Sequence, residues 1–163
     1  MLITSYILHP TSQRLDGNAP GSNRTATIAW PNRECLDVSG QRPSARSFRD
    51  LIVWQKARVL VQATYALTVR FPAHERYGLA SQMQRAAVSV PSNIAEGWGR
   101  GSRPELHHRA TIAKGSLNEL ASLLDLAEDL GYLSATDLAE AQSLMDEVGR
   151  MLTALRHSLK SRM

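Results

Sequence analysis

From Val53 to Leu159, apolar residues return at alternating intervals of three and four in four successive segments, and no other feature constrains the fold so tightly. Val53, Ala57, Leu60, Thr64, Leu67 and Phe71 form the first series; Leu79, Met83, Ala86, Val90 and Ile94 the second. Leu106, Ala110, Ala113, Leu117, Leu120, Leu124 and Ala127 form the third, and Leu138, Ala141, Met145, Val148, Leu152, Leu155 and Leu159 the fourth. This interval gathers side chains on one face of an α-helix, and no strand-like alternation competes with it.

The punctuation between the series agrees. Ser47 with Asp50 reads as a weak capping box that opens the first helix, and Pro72 stops it. The second helix is expected to start around His74 to Tyr77 and to kink or briefly break at Pro91, before Gly97, Gly99 and Gly101 form a connection. Ser102-Arg103-Pro104-Glu105 starts the third helix and Gly131 ends it; Ser134 with Asp137 starts the fourth. Four helices with short connections predict an all-α, antiparallel up-down-up-down four-helix bundle over residues 47–160.

Residues 1–46 are rich in Thr, Ser, Asn, Gly and Pro and lack a sustained period, so they read as a flexible tail, with short local structure around Leu2 to Leu8. Cys35, the single cysteine, reads as an incidental tail thiol. No run of about 18 apolar residues is present to cross a membrane. The apolar start is too short for a secretory signal and no Lys or Arg precedes it, so a cytoplasmic protein is expected. The net charge is +4, which permits nucleic-acid or acidic partners without requiring them.

The first helix carries more apolar surface than one seam needs. Ile52, Val59, Ala66 and Val69 lie off the seam, and Trp54, Val61 and Tyr65 fill further angles. The third helix adds a second stripe through Ile112, Leu123, Leu126 and Leu130. Such stripes either thicken the core or form an interface; self-association is the expectation, with Ile52, Trp54, Val59, Ala66, Ile112 and Leu123 as candidate interface residues.

Catalytic signals are weak. Glu105 and His108 have the Glu-x-x-His spacing of di-iron bundles, but no second such pair exists and Leu106 occupies the seam. His107 and His108 are adjacent and so diverge around a helix. Gly97, Gly99 and Gly101 join helix to helix, without the preceding strand that a nucleotide-binding loop requires. The expectation is a protein without catalytic residues, metal or cofactor.

The polar residues of the second helix are ordered. Gln82, Arg85, Ser89, Asn93, Glu96 and Arg100 share a face, which suits a binding surface or a buried hydrogen-bond network. Arg85, Arg100, Arg103, His107, Arg109 and Lys114, with Trp98, gather around the second connection as candidates for phosphate contact and base stacking. The alternative is that Glu96 pairs with Arg100, Glu105 pairs with Arg109, and Trp98 caps the core. Asn93 and Glu96 are expected to satisfy backbone groups freed at Pro91 and to accept from Arg85.

FRDLIVWQKA at 48–57, RYGLASQMQRAAVSVPSNIAEGWGRGS at 76–102, IAKGSLNEL at 112–120 and LGYLS at 130–134 carry a resemblance. The chain from 47 to about 160 resembles the bacterial four-helix bundle proteins first noticed as products of intervening sequences in 23S ribosomal RNA genes. The accessory variability determinant of diversity-generating retroelements is a related protein. The resemblance implies a homo-oligomer, a pentamer in the family pattern, without catalytic activity. It further implies, from the retroelement proteins, binding to RNA or DNA and to a reverse transcriptase. Arg85, Arg100, Arg103 and Lys114 become phosphate-contact candidates, and Pro91, Asn93, Glu96 and Gly97 belong to the motif. The chain departs from the family at Leu106, His107, Arg109 and Ala110, where bulky apolar residues commonly follow a Glu-Phe pair.

Overall fold

The computed structural model describes residues 45–161. The tail expected over residues 1–46, the segment Leu2 to Leu8 and Cys35 therefore lie outside the described residues, apart from Ala45 and Arg46. Four α-helices run in order: α1 (Ile52–Thr68), α2 (Leu79–Gly99), α3 (Arg103–Asp129) and α4 (Ala135–Lys160). α1 contacts α2 and α4, and α3 contacts α2 and α4, while neither diagonal pair approaches. This is the antiparallel up-down-up-down bundle.

The core is built from the four seams. Ala57, Leu60, Thr64, Met83, Val90, Ile94, Leu106, Leu120, Leu124, Leu138, Val148, Leu152 and Leu159 are all fully buried. Phe71, Leu79 and Met145 are half-buried at its margins. No helix of the described residues is long and apolar enough to cross a membrane.

Three boundaries differ from expectation. Ser47 does cap, but it caps a 3-10 turn at Phe48–Asp50; the chain then extends through Leu51 before α1 begins. The Asp50 carboxylate accepts from the Arg46 and Ser47 amides at 2.7 and 2.9 Å, which closes that turn, and Leu51 drops into the core. Residues Ala73–Tyr77 form a second 3-10 turn, so α2 starts only at Leu79, whose amide donates to Glu75 Oε2 at 2.8 Å. The glutamate side chain satisfies one of the free donors at the helix start. Pro91, expected to kink or break α2, lies buried inside a helix that continues unbroken to Gly99. The surrounding core holds the turn in place despite the missing donor.

Candidate nucleic-acid interface

Cross-helix contacts fix how the four helices sit in height. Ser89 Oγ meets Ser116 Oγ at 2.9 Å, and Glu96 meets Arg109 at 2.7 Å, which sets α2 against α3. Gly149 of α4 lies against Lys114, whose Nζ stands 2.9 Å from where a Cβ would be. Lys56 pairs with Glu147 at 3.0 Å, setting α1 against α4. The α2–α3 turn, the start of α1 and the end of α4 therefore share one end of the bundle.

The polar stripe of α2 resolves into two parts. Asn93 Nδ2 donates to Ser89 O at 2.9 Å and to Ser89 Oγ at 3.0 Å, and Ser89 continues to the buried Ser116. This is a hydrogen-bond network in the α2–α3 seam. Asn93 does not reach the Ala87 carbonyl that Pro91 leaves without its helical donor; it bonds Ser89, two residues further on. Glu96 does not accept from Arg85 either. It holds Arg100 at 2.9 Å and Arg109 at 2.7 Å, so Arg109 pairs across the turn with Glu96 and not with Glu105. The adjoining carboxylate raises the Arg100 pKa, through its hydrogen bond first.

Gly97 makes this crossing possible. A Cβ there would stand 2.8 Å from Arg109 Cβ and 3.1 Å from Leu106 Cα, so a side chain would push α3 away. Trp98 is half-buried against the core.

The other candidates face elsewhere. Arg103, His107 and Lys114 follow spacings of four and seven on α3, one stripe, and the Lys114–Gly149 contact shows that this stripe borders α4. The same register puts Arg156 level with His107 and Lys160 level with Arg103. These five cationic or protonatable groups span about 16 Å of helix. None pairs with a carboxylate among the described residues, and the Nε atoms of Arg103 and Arg156 are buried without a hydrogen-bond partner. Arg156 and Lys160 were legible in the sequence only as favourable charges near a helix end. Arg85 is exposed more than ten residues along the bundle from this end and does not join the group.

The candidate interface residues divide as well. Ile52, Val59, Ala66 and Ile112 are exposed, Ile52 by 55% and Val59 by 42%. Trp54 is half-buried, edge-on to Phe48 with ring centroids 5.0 Å apart and with Arg58 over its face. Leu123 is a correction: it is 8% exposed and belongs to the core, because the α2–α3 seam covers more of α3 than one heptad line. Among the described residues no group of three or more His, Cys, Asp or Glu side chains is arranged to hold a metal ion.

A four-helix bundle with a cation line at one end and exposed apolar residues on α1 and α3 is the class that fold and site define. The family model described as 23S rRNA-intervening sequence protein matches residues 49–154, and the chain belongs to that family. No curated protein matches it.

Proposed function

We propose that this protein is a non-enzymatic, homo-oligomeric bundle that holds nucleic acid through its phosphates. The supporting observation is the α3–α4 line of Arg103, His107, Lys114, Arg156 and Lys160, free of carboxylate partners among the described residues. Arginine forks and lysine points suit phosphate oxygens. Arg100 and Arg109 contribute less, since Glu96 already neutralises part of their charge. The exposed Ile52, Val59 and Ala66 on α1 support self-association.

Fluorescence anisotropy with random-sequence RNA and DNA between roughly 50 and 200 mM salt tests the reading. Affinity should fall steeply with salt. The Arg103→Gln/Arg156→Gln variant should shrink the log–log slope by about one for each phosphate it no longer neutralises. No binding at the low-salt end refutes the reading and leaves a scaffold for an acidic protein surface. The resemblance to the retroelement proteins makes a reverse transcriptase the partner to test next, by co-purification with any such enzyme encoded beside this gene.

A further inference from the structure

Along one side of α3, Ile112, Gly115, Glu119, Ser122 and Leu126 follow intervals of three and four and are all exposed. Ile112 is 37% and Leu126 46% exposed. Gly115 is the informative member. Glycine is unfavourable inside a helix, yet a Cβ at this position would meet nothing within 4 Å. The fold of the single chain gives no reason for it. A low, smooth point between Ile112 and Glu119 suits the close approach of another body.

A matching surface lies around the corner. Between α1 and α2 runs an open groove with a volume of about 510 Å³, floored by Phe48, Trp54, Val61, Val88, Pro91 and Ala95. Past Val88 it continues into a second hollow of about 330 Å³ beside Tyr65 and Arg85. Arg58 and Arg85 give it a positive rim, and the ridge carries Glu119. Neither Arg85 nor Glu119 has an ion-pair partner among the described residues.

Height and direction agree. The Ser89–Ser116 contact sets Arg85 level with Leu120, next to Glu119, and the Gln84–Thr68 bond of 2.8 Å ties the groove to the same stretch. Rotation about an axis parallel to the helices preserves height, so the ridge of one copy meets the groove of the next at the same level. Ile112 and Glu119 flank Ser116, so the ridge borders the α2–α3 seam, and the groove lies between α1 and α2. The two surfaces occupy adjacent sides of the bundle, so repeated docking about an axis parallel to the helices turns at each step, as a ring requires.

We propose that the α3 ridge docks into the α1–α2 groove of a second copy, with Glu119 meeting Arg85 across the join and Gly115 allowing the close approach. This rests on the homo-oligomer reading and assigns its surfaces.

Sedimentation of the full chain tests it, with circular dichroism confirming that each variant stays helical. Arg85→Glu and Glu119→Arg should each weaken association by at least about tenfold. Gly115→Leu should dissociate the assembly while the chain remains folded. Mixing the two charge-reversed variants should raise the mass above that of either variant alone, because one variant's groove then fits the other's ridge wherever the two alternate; a pair within one chain would not be rescued by mixing. If the unaltered protein assembles and these variants assemble equally well, the proposed surfaces are wrong and self-association stands. An unaltered protein that remains monomeric overturns both.

Discussion

Asp137 ties together two helices at the end remote from the α2–α3 turn. It pairs with Arg70 at the end of α1 and accepts from Ser134 N at 3.0 Å and Ser134 Oγ at 2.6 Å, closing the cap of α4. The Arg70 hydrogen bond, then the Ser134 hydroxyl and amide, hold its carboxyl well below the usual carboxylate range. Glu75 is also lowered, chiefly by the Leu79 amide, while its Oε1 accepts from Tyr132 OH at 3.1 Å. A carboxyl whose folded pKa is depressed contributes stability above its unfolded pKa and loses it as pH falls towards the folded value. Chemical denaturation should therefore find little loss attributable to these groups from pH 7 down to about 4, and a fall below it. Asp137→Asn should lower stability at neutral pH and flatten the acid fall; an unchanged acid limb would show that the pair contributes nothing. The Ser134–Asp137 cap was legible because its partners are three residues apart. The Arg70–Asp137 pair was not, since 67 residues separate them and only the bundle brings them together.

At the scale of the element, Gly97 of α2 and Gly115 of α3 have opposite meanings. Gly97 is held by its neighbours: a Cβ would collide with Arg109 and Leu106. Gly115 faces open space, so Gly115→Ala should raise the stability of the dilute, unassembled chain by about 0.5–1 kcal/mol, read as a higher thermal midpoint. A loss of stability would mean that the single chain does use this glycine. The sequence placed Gly97 and Gly99 in the connection between helices, but both lie inside α2, because the packing of Leu106 and Arg109 against Gly97 lets the helix run on to Gly99. The seams of the helices were legible, as the burial of Leu106 through Ala127 at every heptad position demonstrates. The 3-10 turns at Phe48–Asp50 and Ala73–Tyr77 were not, because the capping pattern of Ser47 and Asp50 that opens a 3-10 turn is the same one that opens an α-helix, and only packing decides that the chain extends at Leu51 before α1 begins.

At the scale of the bundle, the described residues are polarised in charge. Among the described residues, Arg49, Arg100, Arg103, Arg109, Arg156 and Lys160 crowd the α2–α3 end, with Asp50, Glu96 and Glu105 against them. Glu75, Asp125, Glu128, Asp129, Asp137 and Glu140 occupy the other end, opposed by Arg70 and Arg76. The acidic group at Asp125–Asp129 lies about 30 Å along the bundle from His107. That separation is well beyond a screening length of about 8 Å at physiological salt. Asp125→Asn/Glu128→Gln/Asp129→Asn should therefore change RNA affinity less than about twofold under those conditions, whereas Arg103→Gln/Arg156→Gln should weaken it clearly. Equal effects would place binding on overall charge and not on one end.

The chain by itself determined its four helices, the faces they bury and its total charge. Helical period and capping are local properties, set by residues three and four positions apart. Only the tertiary structure decided that Glu96 would neutralise Arg109, and that α3 and α4 would align their cations. It also left the ridge and groove exposed on adjacent sides. Those outcomes depend on the register in which antiparallel helices pack, which connection lengths and core side chains determine together.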